Sequence, residues 1–241
     1  MYFMRDESFI QTISSECPIT LNLTTWSQVS YCQSNYKKEL FQQHAIDFPS
    51  DLTGAVEKRC SEYLAGRLAA QQAVLNLTKQ HHPILRNKDQ TPLWPTGVIG
   101  SITHTNKHAI AVATLAKHHQ IIGVDSENWI EPDIAKEVAS TIINFQESQL
   151  INESSLEFNQ GLTIIFSAKE SLYKALYPSV GSFFGFECAQ VNCIDIKSGD
   201  FSISLQRDLN KTYRKGWIIQ GKFHNAGEST LTFISIPRKR R

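Results

Sequence analysis

Two carboxylates close the apolar run Ile121-Ile122-Gly123-Val124-Asp125-Ser126-Glu127. In an extended segment side chains alternate, so Asp125 and Glu127 point to one face. Like charges side by side repel, and a hard cation such as Mg2+ would give them a reason to adjoin, since it prefers carboxylate oxygens and keeps room for water and phosphate. The plainer alternative is that one carboxylate caps the next helix while the other is solvated. A second cluster, Phe166-Ser167-Ala168-Lys169-Glu170-Ser171-Leu172-Tyr173-Lys174, lies in a helical pattern. At about 100° per residue, Leu162, Ile165, Phe166, Leu172, Tyr173 and Leu176 form one apolar stripe. Lys169 falls within that stripe, a costly place for a charge unless it reaches an anion. Glu170 and Lys174, at i and i+4, leave the stripe's edge together. They could be an ordinary surface pair, or a third carboxylate beside two lysines that hold a metal and phosphate oxygens.

The third cluster is Pro92-Leu93-Trp94-Pro95-Thr96-Gly97-Val98-Ile99-Gly100-Ser101-Ile102-Thr103-His104. Its glycines and small hydroxylated residues let backbone amides approach an anion, and His104 can donate to a phosphate. Such loops are also common connectors.

These clusters need elements to hold them, and the patterning is mixed α+β. A helix is expected over Glu57 to Lys79, with Leu64, Leu68 and Leu75 on one face and Ala-rich filling between them, stopped by His81-His82-Pro83. Strands are expected at His108 to Leu115 and Gln120 to Val124, joined by a hairpin turn at Ala116 to His119. Two short helices should follow, Pro132 to Asn144 and Phe145 to Asn152. The strongest helical pattern runs from Asn159 to Leu176 and should end at Pro178. Antiparallel strands are expected at Phe201 to Leu205, Trp217 to Phe223 and Thr230 to Ile236. Two α+β halves, 1–119 and 120–241, follow from this order.

Composition narrows the class. The 241 residues carry a formal net charge of +1, with 41% hydrophobic residues. Bulk charge gives no reason to coat nucleic acid or a membrane, and the basic tail Arg238-Lys239-Arg240-Arg241 reads as a solvated terminus. Apolar runs fall far short of the roughly 20 residues of a membrane-spanning helix. The start, Met1-Tyr2-Phe3-Met4-Arg5-Asp6-Glu7, has no leader pattern, which points to the cytoplasm. Five cysteines without a C-x-x-C agree with a reducing compartment. They are expected as packed thiols, and His81-His82 and His118-His119 as solvated loop residues.

Taken in order, the segments resemble the 4′-phosphopantetheinyl transferases, most closely the enterobactin-synthase branch of the surfactin-type subgroup. The likeness rests on Lys58-Arg59 with Glu62-Tyr63-Leu64-Ala65-Gly66-Arg67; then Pro92-x-Trp94-Pro95-x-Gly97-x-x-Gly100-Ser101-Ile102-Thr103-His104. It continues with Gly123-Val124-Asp125-x-Glu127 and Phe166-Ser167-x-Lys169-Glu170-Ser171-x-x-Lys174. The motifs span residues 58 to 174; the remainder matches only in size and position. Phe166 stands where the family often has Trp, and Thr103 where it usually has Ser.

The resemblance implies a pseudo-twofold pair of similar α/β subdomains in one chain, with coenzyme A and Mg2+ in a cleft between them. It implies Asp125, Glu127 and Glu170 as ligands of Mg2+, and Lys58 or Arg59 with Arg86 at the 3′-phosphate and adenine end. Thr103, His104 and Lys174 would contact the pyrophosphate, with Lys169 and Lys174 neutralising its charge. A carrier-protein serine would attack the β-phosphorus and release adenosine 3′,5′-bisphosphate, its proton taken by Glu170 or a water on the metal. A monomer serving a nonribosomal peptide or siderophore carrier is implied, with fatty-acid or polyketide carriers as the alternative. Tyr177, Phe183, Phe184 and Phe186 are either an apolar docking edge for that carrier or core. A different Mg2+-dependent phosphotransferase or phosphohydrolase would use the same carboxylates but gives no role to the His104 segment.

Overall fold

The computed structural model describes residues 8–238. The start read above for a leader, and the last three residues of the basic tail, lie outside the described residues. The chain divides into two compact units, the first ending at Ala116 and the second beginning at Lys117.

In the first unit, β1 (Ile10–Ser14), β2 (Thr24–Tyr31), a one-turn helix α1 (Leu40–Gln43) and the long helix α2 (Glu57–Thr78) come first. The short strands β3 (Leu85–Arg86) and β4 (Pro92–Leu93) then precede β5 (Val98–His104) and β6 (His108–Leu115). The sheet is antiparallel in the order β1-β2-β6-β5, and α2 packs across β2, β5 and β6. Leu64 is buried as expected, but Leu68 and Leu75 are only half-buried. Ala65, Ala69, Ala70, Ala73 and Val74 make most of the seam. The alanines expected as filling between the leucines are thus the seam itself, because small side chains let the helix approach the strands closely. The helix ends at Thr78 because Lys79 turns left-handed, before the His-His-Pro segment. Gly100 of β5 sits under the Trp94 ring and against the Val112 carbonyl, so a Cβ there would lie 2.6 Å from both.

The second unit runs β7 (His119–Asn128), α3 (Pro132–Ile142), α4 (Phe145–Asn152), α5 (Phe158–Val180), β8 (Ala189–Asp195), β9 (Asp200–Leu205), β10 (Ile218–Ala226) and β11 (Ser229–Pro237). Its antiparallel sheet has the order β7-β11-β10-β9-β8, with α5 across β7, β11 and β8. Each unit is thus an antiparallel sheet crossed by one long helix, an α+β architecture.

Several expectations are corrected. Ala116–His119 is not a hairpin turn: β6 pairs with β2 and β5, whereas β7 pairs with β11, so the segment leads from one sheet to another. Strand β7 runs through both carboxylates rather than stopping at Val124. Pro178 does not end α5. It sits in the last turns, where one lost backbone bond is tolerated, and the helix stops at Gly181 (φ 71°), whose N–H donates to Tyr177 O at 2.8 Å. Helix α5 is buried round most of its girth rather than along one stripe, while Phe166 and Tyr173 are half-exposed. His119 is buried in β7, not solvated, and of the cysteines only Cys60 and Cys188 are buried, with Cys193 exposed.

Candidate active site

In the second unit Asp125 and Glu127 lie on β7 opposite Thr232 and Thr230 of β11. Gly123, two residues earlier, is where α5 comes closest: an added Cβ would meet Ser171 O at 2.0 Å. Without a side chain at that point the helix settles onto the strand and brings Ser167 and Lys174 to Asp125. Lys174 Nζ donates to Asp125 Oδ1 at 2.5 Å and Ser167 Oγ to Oδ2 at 2.8 Å. Asp125 is 2% exposed. Ser167 is backed by Thr232 Oγ1 at 2.9 Å, which in turn meets Ser171 Oγ at 2.5 Å. This run of buried hydroxyls holds the carboxylate's orientation.

Glu127 and Glu170 are half-buried beside that pair. Burial first, then the charge of Asp125, push Glu127 up to about 8; Lys174 opposes the rise and Glu170 adds to it. Burial also raises Glu170, with Lys174 pulling it back and Asp125 adding a smaller rise. Three hard oxygen donors share one lysine, an excess of negative charge that a divalent cation would relieve. The donor chemistry therefore fits Mg2+. Among the described residues no group of three or more Asp, Glu, His or Cys side chains is placed to hold a metal ion as it stands; Asp125 is engaged by Lys174 and Ser167.

Lys169 points elsewhere. Its Nζ donates to Glu147 Oε2 and to Ile142 O, both at 2.8 Å, and its side chain is 3% exposed. The anion that its position in the apolar stripe called for is thus Glu147, a residue the sequence reading did not single out. A signal existed: Asn144-x-x-Glu147 ahead of an apolar helix is a capping box, and both its bonds form at 2.9 Å.

Beside Glu170 a cavity of about 260 Å³ is lined by Lys169, Tyr173, Phe183, Phe184, Phe186 and Ala189. Phe184 packs on Tyr173 at 4.9 Å between ring centroids, and Phe183 is 82% exposed. Phe183, Phe184 and Phe186 wall a hollow, Phe184 and Phe186 also pack against the core, and Tyr177 packs on Tyr173 at 5.4 Å between ring centroids.

The first unit gathers cations. Lys58 and Arg59 lie in the first turn of α2, Arg86 in β3, and Thr103 and His104 close β5. Glu62 sits among them, with Lys58 Nζ at 4.0 Å and His104 Nδ1 at 3.9 Å, and Arg59 Nη1 is 3.5 Å from His104 Nε2. Burial raises Glu62, while Lys58 and Arg59 pull it down. Arg86 is oriented by Asp51 and by Gln90, whose side-chain oxygen accepts at 3.0 Å. Thr103 is buried. Arg67 belongs to the first motif but carries no role expected from the sequence. It is buried over the Tyr63 ring, 4.6 Å from its centroid, with Nε on Tyr63 OH at 3.2 Å. Burial lowers its proton affinity, Tyr63 offsets this, and Arg86 and Arg59 lower it further, which marks three guanidinium groups as neighbours.

The chain matches the family described as 4'-phosphopantetheinyl transferase N-terminal domain over residues 48–114, and the 4'-phosphopantetheinyl transferase superfamily over residues 121–227. It is 40% identical to enterobactin synthase component D of Salmonella typhi over 187 residues, which cover 76% of this chain and 75% of that protein. With enterobactin synthase component D of Escherichia coli K12 the identity is 33% over 156 residues, covering 65% and 70%. It is 25% identical to the 4'-phosphopantetheinyl transferase Npt of Nocardia iowensis over 200 residues, covering 78% and 85%.

Proposed function

The chain belongs to the 4′-phosphopantetheinyl transferase superfamily, and from that premise we propose how its residues move a phosphopantetheine arm from coenzyme A to a carrier-protein serine. The activity is that of a transferase, with coenzyme A as donor and a carrier domain as acceptor. Its service is siderophore or nonribosomal peptide synthesis.

The observation that carries the residue assignment is the group on β7 and α5: Lys174 bound to Asp125, beside two carboxylates whose proton affinity is raised. Asp125, Glu127 and Glu170 would hold Mg2+. When bound, the ion supplies positive charge at the pyrophosphate, the main lever in phosphoryl-type transfer. Lys174 exchanges Asp125 for a pyrophosphate oxygen and neutralises charge that grows as the leaving group departs. Glu170, or a water beside it, would take the serine hydroxyl proton as the oxygen attacks the β-phosphorus. The bond from that phosphorus to the bridging oxygen breaks, and adenosine 3′,5′-bisphosphate leaves. Thr103 and His104 orient the pyrophosphate. Lys58, Arg59, Arg67 and Arg86 take the 3′-phosphate and adenine end, and the apolar cavity beside Glu170 receives the pantetheine chain. The chain works as a monomer in the cytoplasm. Mass measurement of a siderophore-synthetase carrier domain, incubated with coenzyme A and Mg2+, should show the gain of one phosphopantetheine. An unchanged carrier mass would refute the reading, and full labelling by Glu170→Gln would refute the role of Glu170.

A further inference from the structure

Glu147 is wholly buried yet carries a full set of donors. Oε1 accepts from Val191 N of the edge strand β8 at 2.8 Å. Oε2 accepts from Asn144 N, the cap of α4, at 2.9 Å and from Lys169 Nζ at 2.8 Å. The Lys169 ammonium makes a second bond to Ile142 O, the last residue of α3, a carbonyl that a helix end leaves without an internal partner. One ion pair thus ties the end of α3, the start of α4 and strand β8 to the middle of α5. Glu170 is the next residue on that helix, and Lys174 lies about one turn further on. Both charges are out of water, so each is tolerable only while the other is present.

We propose that Lys169 and Glu147 form a positioning pair that sets the depth and rotation of α5, and that the Lys169 ammonium does not contact the substrate phosphates. The pair acts through Glu170 and Lys174, so this rests on the roles given to those two residues above. A lysine that meets the substrate needs an ammonium within reach of solvent, as the 27% exposed side chain of Lys174 has, whereas that of Lys169 is 3% exposed and held by Glu147 Oε2 and Ile142 O.

A double-mutant cycle tests this with the full chain: wild type, Glu147→Gln, Lys169→Met and the double variant. Each is assayed for carrier labelling by mass, for coenzyme A affinity by calorimetry and for Tm by circular dichroism. Labelling by the wild type establishes the transferase chemistry; its absence would defeat that reading separately, and the Tm cycle would still measure the coupling. Each single variant should lose about 10- to 100-fold in kcat, as loss of a group supporting a site typically does, while the affinity for coenzyme A moves less than about threefold. The double variant, free of an unmatched buried charge, should recover to within about tenfold of wild type. The proposal is overturned if the double stays as slow as Lys169→Met while Glu147→Gln is near wild type. It is equally overturned if Lys169→Met weakens coenzyme A binding in both backgrounds, or if the singles lower Tm without changing kcat. Should a single variant fail to fold, the double decides: kcat within about tenfold of wild type supports the pair, and a loss of a hundredfold or more overturns it.

Discussion

The cations of the first unit are met by partners: Arg86 by Asp51 and Gln90, Arg67 by Tyr63, Lys58 and His104 loosely by Glu62. The carboxylates of the second unit are not balanced in the same way. Asp125 has Lys174 and Ser167, while Glu127 and Glu170 are left half-buried with raised proton affinity. Partners on the first group keep long side chains oriented without a substrate, which suits binding. The unbalanced charge of the second group suits a site that is completed by a cation and reorganises during reaction. On the proposed roles, the first unit would supply affinity for coenzyme A and the second turnover.

The largest effect should come from the second group. Asp125→Ala or Glu170→Ala should cut carrier labelling by at least about a hundredfold, the scale of losing a group aimed at the transition state. Circular dichroism should still show a folded chain; near-normal labelling by either variant would break the assignment of turnover. Gly123→Val tests how the group is assembled. The new side chain would strike Ser171 O, and forced overpacking of this kind costs about 1–3 kcal/mol or more. A lower Tm with loss of activity is expected, and an unchanged Tm would show that α5 need not approach β7 so closely.

Arg59→Ala and Arg67→Ala address the first group. Each should raise KM for coenzyme A about tenfold with little change in kcat, the pattern of lost uniform binding. A fall in kcat at constant KM would erase the division between the units.

The smallest effect concerns pH. The folded chain binds a proton at Glu127 up to about pH 8, well above an unfolded carboxylate at 4.5. The stability linked to that proton is therefore complete below the lower value and is lost as pH rises through the window. Without divalent ions, Tm should decline across that range, Glu127→Gln should flatten the decline, and added Mg2+ should reverse it. A Tm that rises with pH in the wild type but not in Glu127→Gln would contradict the assigned environment.

Much of the fold was legible from local pattern. The strand His108–Leu115 and the helix Phe145–Asn152 have the extents read from their alternation and periodicity. The alanines of α2 read only as filling between leucines, because small residues carry little hydrophobic signal yet decide how closely layers pack. The turn between β6 and β7 misled for another reason: adjacent strands with a short link look like a hairpin, and pairing with β11 involves residues more than a hundred positions away.

The sequence by itself determined the family, the residue types available for metal and phosphate, and their order along the chain, because motif spacing and side-chain chemistry are local properties. Tertiary structure alone decided which lysine serves which acid. Lys169 and Lys174 look alike as neighbouring charges on one helix, but burial turns the first to Glu147, and the absent side chain of Gly123 lets the second reach Asp125. Those outcomes depend on distances between segments far apart in sequence, where desolvation and close packing, rather than spacing, select the partner.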